Sequence, residues 1–178
     1  MEYKHCKISE FIFKESNLVS IYGASGRGKT IIGLQVAKEF SRSIFISSEG
    51  YIYKSRVSNI YFKNVLFADV STSLELMNSI LKAMLLEPSV IVVDTINKFY
   101  RIDKKYKGLL YPLMLLSEYS KYGKVLLFWQ VSMNNKVSGE KFMRYFSGDV
   151  LRLANGNIIG NLRNCKFKIS EDGVIGCL

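Results

Sequence analysis

Gly23-Ala24-Ser25-Gly26-Arg27-Gly28-Lys29-Thr30 is the stretch that decides how this chain is read. Before it, Asn17-Leu18-Val19-Ser20-Ile21-Tyr22 predicts a buried strand running into a glycine turn. After it, Lys29 to Phe40 predicts a helix. The eight residues match G-x-x-x-x-G-K-[ST] in full, in the strand–turn–helix setting the pattern requires. Each residue type has a physical task. Glycines let backbone N–H groups turn inward onto phosphate oxygens. The helix start adds its dipole and its unpaired N–H groups. Lys29 brings a point charge to the β- and γ-phosphates, and Thr30 offers a hydroxyl to Mg²⁺. Gly23, Ala24, Ser25, Gly26, Arg27, Gly28, Lys29 and Thr30 are therefore the candidate phosphate-binding residues.

Outward from this motif, apolar strands alternate with helical stretches. Strands are expected at 43–47, 65–70, 89–94 and 125–131, and helices at 73–86 and 108–122. Leu74, Met77, Leu81 and Met84 recur at helical spacing and read as core. Ser89-Val90-Ile91-Val92-Val93-Asp94 is apolar on both faces, as central parallel strands are. Pro112 is tolerable only near the first turn of its helix. The last thirty residues change character. Asn155-Gly156 is a two-residue hairpin signal, Phe167 and Ile169 alternate with Lys166 and Lys168, and Asp172-Gly173 marks another turn. The expected class is α/β and three-layered: a mostly parallel central sheet with a C-terminal antiparallel hairpin extension.

Composition sets the bounds. The 178 residues fit one domain, read as 1–178. Hydrophobic residues at 48% exclude intrinsic disorder. No run nears the roughly 18 apolar residues of a membrane-spanning helix, so no membrane partner is expected. The first seven residues lack the apolar stretch of a secretory signal, which points to an intracellular protein. The three cysteines, Cys6, Cys165 and Cys177, are odd in number and widely spaced, against a disulfide framework or a cysteine zinc site. Cys165 reads as a small buried hydrophobe, and the single His5 argues against histidine-based catalysis. Twenty-five basic against 15 acidic residues give a net charge of +10, which favours polyanionic partners.

Three polar residues close apolar strands. Asp94 is placed to hold Mg²⁺ through water, or else to cap the following segment. Glu49, after Ser43-Ile44-Phe45-Ile46-Ser47-Ser48, is the candidate for orienting a water; the alternative is a solvated loop carboxylate. Gln130 ends Leu126-Leu127-Phe128-Trp129, where ligand-facing groups of such sheets lie, and either senses a γ-phosphate or bonds a loop. Two basic segments follow Asp94 and Gln130. Lys98, Arg101, Lys104, Lys105 and Lys107 interleave with Phe99, Tyr100 and Tyr106, a pattern suited to single-stranded nucleic acid. Asn134, Asn135, Lys136, Lys141 and Arg144 form the second. A solvated charged loop is the rival reading of each.

Taken in order, the phosphate motif, Ser47-Ser48-Glu49-Gly50, Val92-Val93-Asp94-Thr95 with Phe99-Tyr100-Arg101, and Trp129-Gln130-Val131 resemble the RecA/RadA recombinase superfamily. The likeness is greatest to the short archaeal RadB-type paralogues, and it spans about residues 17 to 176. The closing Phe167-Lys168-Ile169 and Gly173-Val174-Ile175 are similar to the family's as well. The resemblance implies a RecA-like ATPase core that binds ATP and Mg²⁺ (Thr30, Asp94), with Lys29, the catalytic glutamate at Glu49 and the sensing glutamine at Gln130. It implies an arginine near the adenine at Arg56. It implies DNA contacts from Tyr100, Arg101, Lys104, Lys105, Lys107, Asn134, Asn135, Lys136, Lys141 and Arg144. It further implies a cytoplasmic, nucleoid-associated protein of DNA recombination and repair, with a full-length recombinase or another paralogue as partner. The chain departs from the family in having no N-terminal DNA-binding domain, and in Trp129 and Thr95 where Asn and Ser are usual. Weak hydrolysis, DNA-stimulated or absent, is the expectation. A nucleotide-gated interaction module and a KaiC-like signalling ATPase are the alternatives.

Overall fold

The structure is a computed structural model that describes residues 7–57, 62–171 and 173–177. His5, Cys6 and Asp172 lie outside the described residues. In chain order the elements are α1 (Ile8–Ile12), β1 (Leu18–Gly23), α2 (Lys29–Glu39), β2 (Ser43–Ser47), α3 (Lys54–Val57), β3 (Val65–Asp69), α4 (Ser73–Leu85) and β4 (Val90–Asp94). They continue with α5 (Lys98–Asp103), α6 (Lys107–Tyr119), β5 (Lys124–Gln130), α7 (Glu140–Phe146), β6 (Asp149–Ala154), β7 (Asn157–Gly160), β8 (Arg163–Ser170) and β9 (Gly173–Gly176). A 3-10 turn, Gly50–Tyr53, precedes α3.

The strands form one sheet in the order β3-β2-β4-β5-β1-β6-β7-β8-β9. From β3 to β6 every pairing is parallel, and from β6 to β9 every pairing is antiparallel. The expected class is what the chain adopts. Alternation along the inner strands assigns their side chains to two cores. Val19, Ile21, Phe45, Val92, Leu126 and Phe128 pack with α1, α2, β8 and β9. Ile44, Ile46, Ile91, Val93, Leu127 and Trp129 pack with α4, α5, α6 and α7. A strand covered on both sides must be apolar at every position, which is why β4 and β5 carry unbroken apolar runs.

Four expectations need correction. The buried face of α4 is Leu76, Ile80 and Ala83, whereas Leu74 and Leu81 are exposed. This helix is apolar around most of its circumference, so spacing did not fix its phase. Residues 98–103 and 140–146 are helical, where polar loops were expected. Phe99 and Met143, both buried, anchor those short helices to the core. A disulfide joins Cys165 to Cys177, with Cα atoms 4.4 Å apart. β9 returns antiparallel along β8 and brings together residues that sequence spacing left apart. Pro112 also sits deeper than expected, in the second turn of α6. The hairpin at Asn155-Gly156 forms as read, with φ of 48° and 73°, as a type I′ turn demands.

Helix α2 lies directly on the sheet because Gly33 has no side chain. A Cβ there would stand 2.7 Å from the Phe128 ring and 3.0 Å from the Phe45 ring. Helix propensity alone would credit Gly33→Ala with a gain of about 1 kcal/mol. Overpacking against two buried rings outweighs that, and we expect a net loss of about 1–3 kcal/mol. Urea denaturation of the variant measures the sign.

Candidate nucleotide site

Parallel strands deliver their carboxyl ends to one edge of the sheet. Register places Ser47 beside Asp94, Asp94 beside Phe128, and Gly23 beside Gln130. The loops leaving β1, β2, β4 and β5 therefore meet at this edge. The loop after β1 turns into α2 through Gly28, at φ 98°, the left-handed region that glycine adopts without strain. It brings Lys29 and Thr30 under the loop. Lys29 is buried, and its ammonium donates to the carbonyls of Gly23 at 2.9 Å and Ala24 at 2.7 Å. Burial lowers its pKa from the usual lysine value, opposed by Asp94 and Glu49 and aided by Arg101.

Asp94 is 2% exposed at the end of β4 and accepts a hydrogen bond from the Thr30 hydroxyl at 2.5 Å. Burial raises its pKa to about 6, although Thr30 and Lys29 pull the other way. The Asp94–Thr95 peptide is cis. Thr95 then reaches across to the loop after β2. Its hydroxyl donates to a Glu49 carboxylate oxygen at 2.9 Å, and its backbone N–H donates to the Ser48 hydroxyl at 3.0 Å. Lys98 donates to the Ser48 carbonyl. A cleft of about 330 Å³ is lined by Gly28, Lys29, Thr30, Glu49, Asp94 and Gln130, among others.

Arg56 lines this cleft and also a smaller recess of about 170 Å³ walled by Ile31, Leu34 and Phe62. That recess has the apolar character a nucleoside base needs. The donor set suits a nucleotide·Mg²⁺ complex. A Mg²⁺ here would take the Thr30 hydroxyl directly and Asp94 through water, with phosphates completing a hard oxygen shell. Among the described residues no cluster of three or more His, Cys, Asp and Glu is placed to hold a metal by itself.

The structure thus brings Lys29, Thr30, Asp94, Glu49, Gln130 and Arg56 to one cleft. It does not gather the nucleic-acid candidates as one set. Tyr100 is half-buried with its ring edge-on to Phe142, and Arg144 pairs with Glu140 at 2.8 Å. Lys104, Lys105, Lys107, Asn134, Asn135, Lys136 and Lys141 are exposed. Phe99 belongs to the core, which leaves Tyr106, 53% exposed, as the accessible aromatic of that segment.

Sequence reasoning passed over Asn97. It is fully buried, and its amide donates to the carbonyls of Gln130 at 3.0 Å and Ser138 at 3.2 Å while its oxygen accepts from the Gln130 N–H at 3.1 Å. One side chain thereby ties the loop after β4 to the loop after β5. An asparagine three residues beyond Asp94, between apolar Ile96 and the Lys98-Phe99 pair, was the available signal. The role of Trp129 also emerges only here. It is fully buried, and its indole N–H donates to the Ser20 hydroxyl at 2.7 Å, which itself meets Ser147 at 2.7 Å.

No family model matches the chain, and no curated protein does. Among solved structures, the chain is similar to a KaiC-like protein from the hyperthermophilic archaeon Pyrococcus horikoshii OT3. The TM-score is 0.66 at 12% identity, over 90% of this chain and 89% of that one. At such identity the likeness concerns the fold, which is the KaiC/RecA-like P-loop arrangement. Among the described residues no helix is long and apolar enough to cross a membrane.

Asp94 is raised from 3.8 to about 6, so the folded state binds the extra proton between these values. Its contribution therefore stabilises the fold at low pH and is lost as pH rises through about 6. We expect Asp94→Asn to stabilise the metal-free, nucleotide-free protein at pH 8 by about 1–3 kcal/mol. The gain should close as pH falls toward 4. Thermal melts in EDTA across that range check both sign and pH window.

Proposed function

We propose that the chain is a RecA-type core that binds ATP with Mg²⁺ and hydrolyses it slowly, in the manner of a RadB-like recombinase paralogue. On this reading it binds single-stranded DNA and assists or regulates a full-length recombinase in recombination and repair. The observation that carries the nucleotide part is the convergence of Lys29, Thr30, Asp94 and Glu49 on one cleft at the carboxyl edge of the sheet. Bound there, ATP·Mg²⁺ supplies the reactive phosphoanhydride and the metal's charge. Lys29 holds a cation against the terminal phosphates. Thr30 and Asp94 fix the metal's position. Glu49, oriented by Thr95, holds a water on the far side of the terminal phosphate. Arg56 packs on the base at the mouth of the apolar recess.

The nucleic-acid part rests on exposed cations. Lys104, Lys105 and Lys107 follow α5, and Asn134, Asn135, Lys136 and Lys141 stand after β5, at the same sheet edge as the cleft. Tyr106 offers a ring for a base to stack on. The second reading is a KaiC-like ATPase or a nucleotide-gated interaction module, and the fold shared with the Pyrococcus protein is compatible with the first of these.

Turnover of ATP by the purified protein, with and without single-stranded DNA, separates the two. We expect Lys29→Ala to lose at least tenfold in ATP affinity and Glu49→Gln to keep affinity while losing turnover. Retained affinity in Lys29→Ala would remove the nucleotide assignment. Neutralising Lys104, Lys105 and Lys107 together should lower the slope of log affinity for DNA against log salt by about two to three. An unchanged slope would favour the second reading.

A further inference from the structure

Arg101 lies on α5, one turn beyond Lys98. The sequence pattern groups it with the exposed lysines of its segment, but the fold buries it further than Lys104, Lys105 or Lys107. Lys104, Lys105 and Lys107 face solvent, whereas Arg101 is half-buried. With Glu49, Lys98, Gln130 and, at its rim, Lys104, it lines an open cleft of about 520 Å³. Glu49 and Gln130 also line the phosphate cleft, so the two adjoin at the place where a terminal phosphate would stand.

Three cations near it are already engaged. Lys29 donates to two loop carbonyls, Lys98 donates to the Ser48 carbonyl, and Lys104 sits over the Tyr100 ring at 5.7 Å. The Arg101 guanidinium makes no ion pair or hydrogen bond with any described residue. Lys29 and Arg101 each line a cleft that includes Glu49 and Gln130, so the two cations approach the same point from opposite sides. Two like charges held near each other and partly out of water are unfavourable until a multiply charged anion enters between them. A guanidinium suits that anion better than an ammonium, since its fork grips two phosphate oxygens at once.

Its backbone is anchored through Asn97. Asn97 immediately precedes α5, and the Arg101 N–H donates to the Asn97 carbonyl at 3.0 Å. The Asn97 side chain holds Gln130. Arg101 and Gln130 are thus both tied to Asn97, the first through its backbone carbonyl and the second through its side-chain amide.

We infer that Arg101 binds the terminal phosphate of the nucleotide in cis and gives the site its preference for a triphosphate over a diphosphate. This rests on the nucleotide reading above. Arg101 on this account serves the nucleotide and not the nucleic acid.

Calorimetric titration with a slowly hydrolysed ATP analogue and with ADP, both with Mg²⁺, tests it on the wild type, Arg101→Ala and Arg101→Lys. We expect Arg101→Ala to lose about ten- to a hundredfold for the triphosphate, as for a charge-assisted bond, with ADP affinity within about twofold. Arg101→Lys should recover part of the loss, which a folding defect would not allow. Equal loss for both nucleotides, or none for either, overturns the assignment while leaving the nucleotide reading intact. Failure of the wild type to bind either nucleotide sinks that reading and this inference together. A DNA salt slope reduced by about one in Arg101→Ala, with the triphosphate preference unchanged, would assign Arg101 to the nucleic acid instead.

Discussion

Asp94 ends a strand apolar on both faces, is 2% exposed, and accepts a hydrogen bond from Thr30 across the intervening strand β5. A carboxylate in that position is unfavourable by itself, since burial disfavours its charged form. The surroundings answer it with Lys29, with the Thr30 hydroxyl and, on the nucleotide reading, with a metal. Much of the site follows from this constraint. Thr30 must sit at the second position of α2 to reach Asp94, so the phosphate loop must turn sharply at Gly28. Thr95, next in chain, must point back toward β2, and its hydroxyl finds Glu49.

The same edge shows how short segments become parts of one device. Ser48 and Thr95 exchange hydrogen bonds between the loops after β2 and β4. Asn97 joins the loop after β4 to the loop after β5. Three loops are thereby cross-linked by buried polar groups with satisfied partners, an arrangement that resists independent motion of any one of them. Groups at the phosphate end and groups beyond Gln130 then belong to one connected frame. Such a frame can carry a change at the nucleotide to the exposed cations after α5 and β5.

The antiparallel extension takes part in the site as well. β8 carries Phe167 and Ile169 over the phosphate loop, and a Cβ at Gly28 would meet Ile169 at 3.3 Å. Gln35 of α2 accepts a hydrogen bond from the Val174 N–H of β9. The disulfide between Cys165 and Cys177 closes the tail on itself beside this wall. On the other face, Trp129 occupies the space between β5 and the helices, held by Ser20 on β1. A large indole at the position next to Gln130 fixes the end of β5 by packing.

Local pattern was enough to read the phosphate loop, because glycine spacing, lysine and threonine state their chemistry within eight residues. It was enough to read the parallel strands, because burial on both faces leaves the inner strands almost wholly apolar, and the Asn155-Gly156 hairpin, because a type I′ turn needs two positive φ angles in a row. It named Asp94, Glu49 and Gln130, each the polar residue at or just beyond the end of an apolar strand. It did not reveal the phase of α4, where an apolar helix offers more than one candidate face. Nor did it reveal the helices at 98–103 and 140–146, which are too short and too charged to stand without Phe99 and Met143 in the core. The division of the basic segment after Asp94, with Arg101 half-buried at the cleft and Lys104, Lys105 and Lys107 exposed, depends on α5 being anchored through Asn97. The Cys165–Cys177 pair depends on how β9 registers against β8. These were decided by tertiary structure, because each rests on contacts between residues far apart in sequence, and spacing along a chain carries no record of them until the strands are in place.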